Sequence, residues 1–191
     1  VAKKILIFGD SFVFGKTGGR NERLSPSERF TGYLQNILGQ EYEVIEAGLR
    51  GRTLFGENGF FKDRNGEEQF GPTVGSHLPL DLVFIILGTN NSNKKSAFEN
   101  SKVEGSLDKY LAELQDWSNF LDTKCPEVIL VIPPNFNPEY FDNGAKEIFG
   151  LEAQGKLTNI QESMKNWAKL NDCKFVQTEG IILPGKGDGV H

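Results

Sequence analysis

The stretch LVFIIL, residues 82–87, is apolar at every position. Strands that are buried on both faces of a parallel sheet show this pattern, whereas strands with one exposed face alternate apolar and polar residues. The run VILVI at residues 128–132 has the same character. Both stretches therefore predict strands of a sheet that is covered on each side.

Shorter apolar runs and amphipathic segments extend this pattern in both directions. The predicted strands are Lys4–Gly9, Tyr42–Glu46, Leu82–Leu87, Val128–Ile132 and Lys174–Val176. Helical spacing is found in Ser27–Leu38, Gly105–Leu121 and Leu157–Leu170, and the first of these has a helix-start signal at Ser25-Pro26-Ser27-Glu28. Such alternation implies parallel pairing through right-handed crossovers, so we predict a three-layer α/β/α sandwich with a five-stranded, flavodoxin-like sheet. Two long segments are predicted to be irregular, Arg52–Pro79 and Pro133–Lys146.

Length and charge limit the domain organisation and the partners. A chain of 191 residues suits one domain, which we expect to span residues 1–191. The net charge of −5 and the absence of a lysine/arginine cluster argue against nucleic acid or an anionic membrane as partner. The apolar run at the amino end is too short for a signal peptide or a membrane span. We therefore expect a cytoplasmic protein, with removal of a signal before Val1 as the alternative.

The segment FGDSFVFGKTGG, residues 8–19, can be interpreted in two ways. Its Gly15-Lys16-Thr17 looks like the end of a phosphate-binding loop, but that motif has four residues between its first glycine and the Gly-Lys pair. Here five residues separate Gly9 from Gly15, so a nucleotide site is disfavoured. Ser11, in contrast, directly follows a strand, where backbone N–H groups can face a developing negative charge. It is a candidate nucleophile.

A serine nucleophile needs a base, and the chain contains two histidines. His77 precedes the third predicted strand, at the edge opposite Ser11, and is expected to be a half-exposed loop residue. His191 follows the last strand, and Asp188 lies three residues before it. An acid at that spacing can share one turn with the histidine and orient its ring, so His191 is the candidate base.

Two further residues follow strands that end at the same edge as Ser11. Asn90 comes after the most apolar strand and could either cap a turn or donate from its amide to an oxyanion. Gly51 comes after the second strand and could be a plain turn residue or bring its N–H close to a substrate. The sequence thus predicts a nucleophile, two donors and an acid–histidine pair on one edge of the sheet.

This set of residues resembles the SGNH (GDSL) hydrolase superfamily, block by block and in the expected order. The resemblance implies that Ser11 is the nucleophile, His191 its base and Asp188 the residue that orients the base. It implies an oxyanion hole formed by the Ser11 N–H, the Gly51 N–H and the Asn90 amide. It also implies chemistry that needs no metal and no organic cofactor.

Other segments are similar to one branch of that superfamily, and two features depart from its pattern. Residues 43–49 and 77–83 look like the arylesterase/acyltransferase branch, whose members often form dimers or larger oligomers. Asn91 stands where the third block usually has aspartate, so we expect altered hydrogen bonding without loss of activity. Family members continue past the histidine into a helix that packs on the sheet and fixes the histidine loop. Either that helix lies beyond residue 191, or His191 sits on a loose end. We favour the first alternative, because a base held only by a short tail would be poorly preorganised.

The expected reaction is hydrolysis of small, acetyl-like esters through an acyl-enzyme, with possible acyl transfer to alcohols. Candidates for the acyl pocket are Phe12, Leu49 and Phe55, with Phe60 and Phe61 nearby, although ordinary packing would explain them equally well. The expected partner is a small-molecule ester. Three alternatives remain open, namely an O-acetyl carbohydrate esterase, a catalytically silent binding protein on the same scaffold, and a flavodoxin-like flavin binder.

Overall fold

Five parallel strands form one sheet in the order β2-β1-β3-β4-β5. The computed structural model describes residues 2–19, 22–96 and 99–191. The strands are β1 (Lys3–Gly9), β2 (Tyr42–Gly48), β3 (Leu82–Ile86), β4 (Glu127–Val131) and β5 (Lys174–Val176). This order and the parallel pairing of all neighbours confirm the predicted flavodoxin-like sheet.

Helices lie on both faces of the sheet. They are α1 (Ser11–Phe14), α2 (Phe30–Leu38), α3 (Gly66–Gly75), α4 (Asn100–Phe120), α5 (Asn143–Ile148) and α6 (Ala153–Leu170). Short 3₁₀ turns occur at Gly39–Glu41, Thr89–Ser92 and Pro138–Tyr140. No helix in the described ranges is both long enough and apolar enough to cross a membrane.

The larger core lies between the sheet and helices α3, α4 and α6. At its centre the rings of Phe8, Phe70 and Tyr110 meet edge to face, with centroids 4.6 to 6.2 Å apart. The Tyr110 hydroxyl donates a 2.7 Å hydrogen bond to the buried Leu54 carbonyl. This face of the sheet therefore carries most of the apolar burial that stabilises the fold.

The opposite face is covered less completely. Helices α1 and α2 pack there over Ile5 and Ile7, in a smaller core. Toward β4 and β5 the same face forms an apolar groove of about 460 Å³. Phe84 and Val131 point to this side and are only half-buried. The prediction that β3 and β4 are buried on both faces is therefore confirmed on the face that packs against α4 and α6. On the face with the groove, the two strands are only partly covered.

The predicted helix start at Ser25-Pro26-Ser27-Glu28 is wrong, because α2 begins at Phe30. The Glu28 carboxylate accepts hydrogen bonds from the Ser25 N–H and hydroxyl, which closes a turn. Arg29 then adopts an extended conformation, with a ψ of 144°, and interrupts the helix. Its guanidinium forms two hydrogen bonds, of 3.0 and 2.8 Å, with the Glu46 carboxylate on β2. This bidentate ion pair between the turn and the sheet overrides the local helix signal.

The segments predicted to be irregular contain two helices. Helix α3 lies within Arg52–Pro79, although three glycines and Pro72 give its residues a low intrinsic helix propensity. It forms because Phe70 and Val74 are completely buried against α4, so packing outweighs propensity. The local signal for this helix was its N-terminal cap, because the Asn65 side chain accepts a hydrogen bond from the Glu67 N–H. Helix α5 and the preceding 3₁₀ turn likewise occupy the end of the segment predicted as a loop between residues 133 and 146.

We expect Tyr110→Phe to lower the free energy of unfolding by about 1–2 kcal/mol, because the buried Leu54 carbonyl would lose its donor. Urea denaturation measures this change. Tyr33 is 64% exposed, and Tyr33→Phe is the matched control. Its expected effect is within about 0.5 kcal/mol. Equal free energies of unfolding for the two variants would contradict the stabilising role of the hydrogen bond from Tyr110 to Leu54.

Candidate active site

Ser11 lies at the start of α1, directly beyond the carboxyl end of β1. Asp10 caps the helix, since its side chain accepts a 3.0 Å hydrogen bond from the Phe12 N–H. The helix ends after a single turn at Gly15, whose φ of 82° is the left-handed conformation that glycine adopts most readily. Ser11 is therefore held in a short, tightly bounded element.

The structure brings His191 and Asp188 to Ser11. The His191 Nε2 lies 2.8 Å from the Ser11 Oγ, and the His191 Nδ1 lies 2.8 Å from the Asp188 Oδ2. A carboxylate can only accept, so Nδ1 donates to Asp188 and Nε2 is left to accept from the serine hydroxyl. Residues 180 positions apart in the sequence thus form one hydrogen-bonded chain.

The Asp188 carboxylate is stabilised in its charged form. Burial disfavours the charge, but hydrogen bonds from the His191 ring and from the His191 and Val190 N–H groups outweigh burial and lower the pKa of Asp188 to about 2. The Asp188 Oδ1 accepts both backbone bonds, at 2.8 and 2.9 Å. The acid therefore remains ionised at neutral pH and oriented toward the ring.

The loop that carries His191 is anchored by hydrogen bonds and apolar packing within the described residues, so the alternative of a base on a loose end does not hold. The Asn137 N–H donates to the Gly189 carbonyl at 2.8 Å, and the Gly185 N–H donates to the His191 carbonyl at 2.8 Å. Val190 is 4% exposed and belongs to a second apolar cluster. The other buried members of this cluster are Phe136, Phe141, Ala145, Phe149, Ala153 and Leu157. Most of them come from the segment between β4 and α6.

The three predicted oxyanion donors lie around one cavity. Ser11, Gly51 and Asn90 all line it, and Gly51 has a φ of 78°. The Ser11 N–H is the first of a helix, where the initial N–H groups have no intrahelical acceptor. The Asn90 Nδ2 donates to the Arg52 carbonyl at 3.0 Å and to the Asp10 Oδ2 at 3.3 Å. The sequence-predicted groups therefore converge, with the Asn90 amide already held by two acceptors.

A buried pair of opposite charges lies beneath these donors. Asp10 is 1% exposed and Arg52 is 7% exposed. Burial raises the pKa of Asp10 to about 7, although the Phe12 N–H and the charge of Arg52 favour its ionised form. Burial lowers the pKa of Arg52 to about 10. Arg52 also donates to the Gly9 carbonyl at 2.9 Å, so it joins the end of β1 to the segment after β2.

Asn91 has a structural role that explains its difference from the usual aspartate. It is completely buried, and its Oδ1 accepts from the Leu54 N–H at 2.6 Å. Its Nδ2 donates to the Phe55 carbonyl at 2.9 Å. An amide offers one acceptor and one donor group, which is what these two backbone groups require, whereas an ionised aspartate offers only acceptors.

The cavity beside Ser11 has a volume of about 300 Å³. Phe12, Leu49 and Phe55, the predicted acyl-pocket residues, are not among its lining residues in the described structure. Phe55 is buried in the main core, and the Phe12 ring packs against the His191 ring with centroids 5.3 Å apart. Of the aromatic residues considered, only Phe61 lines the cavity. Proximity in sequence did not identify the walls, because the loops after β1 and β2 direct these side chains elsewhere.

Apart from Phe61, the residues that form the walls were not predicted from the sequence. One side is apolar and is formed by Phe61, Ile148 and Phe149. Another side carries three basic side chains, those of Lys16, Arg50 and Arg64. No local signal pointed to these residues, since they are spread from position 16 to position 149 and meet only in the fold.

The second histidine of the chain, His77, lies away from this cavity. His77 is half-buried near the end of α3, where its Nδ1 donates to the Thr73 carbonyl at 2.8 Å. This agrees with its predicted role outside the site. In the part of the chain that the structure describes, no group of three or more histidine, cysteine or acidic side chains is placed to hold a metal ion.

A serine hydroxyl that is hydrogen-bonded to an aspartate-oriented histidine, at the carboxyl edge of a flavodoxin-like sheet, is typical of serine hydrolases. The sequence profile of the GDSL-like lipase/acylhydrolase family matches residues 7–191, and the chain belongs to this family. It is a carboxylic ester hydrolase of the SGNH type, as the resemblance predicted. A search of curated protein sequences found no match.

Solved structures agree with this assignment. The native aryl esterase of M. smegmatis is 28% identical, with a TM-score of 0.90 over 100% of this chain and 90% of that one. A carbohydrate acetylesterase from Sinorhizobium meliloti is 27% identical, with a TM-score of 0.88 over 99% of this chain and 90% of that one. A lipase/acylhydrolase from Enterococcus faecalis is 19% identical, with a TM-score of 0.66 over 99% of this chain and 86% of that one, and shares the fold.

We expect Asn91→Asp to destabilise the protein increasingly as the pH rises. A protonated carboxyl could still donate to the Phe55 carbonyl, but an ionised one could not, so the folded state should raise the pKa of the new acid. The loss should therefore grow above about pH 4, by up to about 1.4 kcal/mol per pH unit. Urea denaturation at several pH values measures it, with the exposed Asn36→Asp as control. A pH-independent difference between the two variants would contradict the assigned bonds.

Asp10 should give the natural protein a second pH dependence. Because its pKa is raised from 3.8 to about 7, the folded state retains a proton that the unfolded state releases, and stability should fall between about pH 4 and 7. The Asp10→Asn variant should lack this part of the slope. The comparison is made by denaturation at each pH, with the exposed Asp116→Asn as control. Parallel curves for the natural protein and Asp10→Asn would refute the prediction.

Proposed function

We propose that the protein hydrolyses small acyl esters through a Ser11–His191–Asp188 triad and an acyl-enzyme. The observation that carries this proposal is the hydrogen-bonded chain from the Ser11 Oγ through the His191 ring to the Asp188 carboxylate, with both contacts at 2.8 Å. Family membership as a carboxylic ester hydrolase supports it independently of that geometry.

In the acylation step, the Ser11 Oγ attacks the ester carbonyl carbon while the His191 Nε2 takes the hydroxyl proton. The Asp188 carboxylate stabilises the imidazolium that forms, in line with its lowered pKa. The carbonyl oxygen becomes an oxyanion, for which the Ser11 N–H, the Gly51 N–H and the Asn90 amide are the proposed donors. Since both Asn90 hydrogens already have acceptors, the longer bond to Asp10 is the one that the oxyanion would share.

The tetrahedral intermediate then collapses as His191 gives its proton to the departing alkoxide, which leaves as the alcohol. The acyl group remains on Ser11 as an ester. A water molecule attacks this ester while His191 again takes a proton, and the second collapse returns the proton to Ser11 and releases the acid. An alcohol that replaced water in this step would give acyl transfer.

The size of the cavity supports a small acyl group. Its volume of about 300 Å³ is at the lower end for small-molecule sites, and its apolar wall of Phe61, Ile148 and Phe149 suits a methyl or short alkyl group. Similarity to the M. smegmatis aryl esterase supports aryl esters as the first candidate substrates. Similarity to the S. meliloti carbohydrate acetylesterase supports O-acetyl sugars as the second. Hydrolysis rates with aryl acetates and with acetylated sugars distinguish these two candidates.

The expected oligomer is also a proposal. Similarity to the arylesterase branch suggests a dimer or a larger assembly, and light scattering on the purified protein measures its mass.

The nucleophile is tested by intact mass after incubation with a serine-directed phosphonate. We expect the natural protein to gain one phosphonyl group on Ser11, and Ser11→Ala to gain none, because the Ser11 hydroxyl is the one hydrogen-bonded to the His191 ring among the described residues. Ser11→Ala should also lose at least about 10³-fold in ester hydrolysis. The exposed Ser101→Ala should label and hydrolyse normally. Unchanged hydrolysis by Ser11→Ala would overturn the mechanism.

A further inference from the structure

The basic wall of the cavity is unusual for this chain. The protein has 26 acidic and 21 basic residues, yet the described side chains that line the cavity include Lys16, Arg50 and Arg64 and no aspartate or glutamate. Asp188 lies just behind the lining, with its Oδ2 at 3.8 Å from the Lys16 Nζ. It is also the hydrogen-bond partner of His191.

Arg64 is fixed in place by backbone groups. Its Nε donates to the Arg50 carbonyl at 2.7 Å, and its Nη1 donates to the Lys62 and Asp63 carbonyls at 2.8 and 3.1 Å. A guanidinium has five N–H groups, and these bonds account for three of them. The two on Nη2 have no acceptor among the described residues, and no carboxylate in the described ranges lies within ion-pair distance of Arg64.

An anchored guanidinium of this kind is suited to bind an anion. Fixing its position costs little further entropy because three bonds already hold it, and its two remaining N–H groups, both on Nη2, can donate to an anion. Arg64 also holds the carbonyl of Arg50, the residue before Gly51. The anion-binding group and the proposed oxyanion donor are therefore parts of one hydrogen-bonded loop.

We propose that the substrate is a small ester that carries an anionic group, such as a carboxylate, which binds the Arg64 guanidinium beside Arg50 and Lys16. This inference rests on the proposed ester hydrolysis at Ser11 and names the substrate class of that site. The apolar wall of Phe61, Ile148 and Phe149 holds the uncharged part of the molecule, while the basic wall holds the charged part.

The test compares charged and neutral esters of matched shape. Phenyl acetate is the neutral reference, 4-acetoxybenzoate carries a carboxylate on the alcohol part, and phenyl hemisuccinate carries one on the acyl part. For 4-acetoxybenzoate, kcat/KM is divided by the uncatalysed hydrolysis rate, so that the difference in leaving group cancels. Phenyl hemisuccinate has the same leaving group as phenyl acetate and is compared with it by kcat/KM directly, because its own carboxylate accelerates its uncatalysed hydrolysis. We expect at least one anionic ester to be favoured over phenyl acetate by about tenfold or more. Whichever ester is favoured shows which part of the substrate faces Arg64.

Variants separate charge from loop structure. Arg64→Gln should reduce the ratio of anionic to neutral kcat/KM by about tenfold, even if loss of the backbone bonds slows both esters together. Arg64→Lys keeps the charge and should retain most of that ratio. Lys62→Gln removes the same charge from the same loop, but the Lys62 side chain is exposed and does not line the cavity. It should leave the ratio unchanged.

The results distinguish failure of the inference from failure of the proposed function. Suppose that the phosphonate labels Ser11 and phenyl acetate is hydrolysed, but the ratio of anionic to neutral kcat/KM is near one for both anionic esters. This result would refute the anionic substrate and leave the triad intact. An unchanged ratio in Arg64→Gln would do the same. If Ser11 is not labelled and no ester is hydrolysed, both proposals fail. A preference that declines with rising ionic strength supports the electrostatic origin.

Discussion

Strand β1 is hydrogen-bonded along both edges, to β2 and to β3, and its last residue is in register with Gly48 on one side and Ile86 on the other. Because all three strands are parallel, the chain leaves each of them at the same edge of the sheet. The segments that follow must therefore emerge side by side, and these segments contain Ser11, Gly51 and Asn90. The convergence of the candidate nucleophile with the two candidate donors is a consequence of this double pairing, since no direct contact among the three residues is needed to bring them together.

Buried polar groups hold that edge in one arrangement. The Arg52 side chain donates to the Gly9 carbonyl on β1, while its own carbonyl accepts from the Asn90 amide. Asp10 accepts from the Phe12 N–H and from Asn90, so the charge of each buried group is met by hydrogen bonds. Burying such groups is costly unless they are satisfied. A network of this kind favours one geometry over slightly shifted ones, which is what the positioning of an oxyanion requires.

The candidate base, His191, is supported by a separate piece of structure. The segment after β4 forms a 3₁₀ turn and helix α5, and its aromatic side chains build the cluster that receives Val190. Burial of the neighbouring Val190 in this cluster and the hydrogen bond from the His191 Nδ1 to Asp188 together fix the position of the ring. The site thus depends on two cores, the main one that orders the strands and the smaller one that places the histidine loop.

The sequence by itself determined the five strands through their apolar patterning, and the alternation of strands and helices indicated the flavodoxin-like order. It also predicted that Ser11, Asn90, Asp188 and His191 would meet at one edge of the sheet, because each follows the end of a strand. Tertiary structure alone decided the rest. Helix α3 forms despite its glycines and Pro72, since burial of Phe70 outweighs its weak propensity. The cavity walls, with Phe149 on one side and Arg64 on the other, are assembled from distant loops. Such surfaces leave no periodic trace in the sequence, because their geometry depends on long-range contacts that form only when the chain is folded.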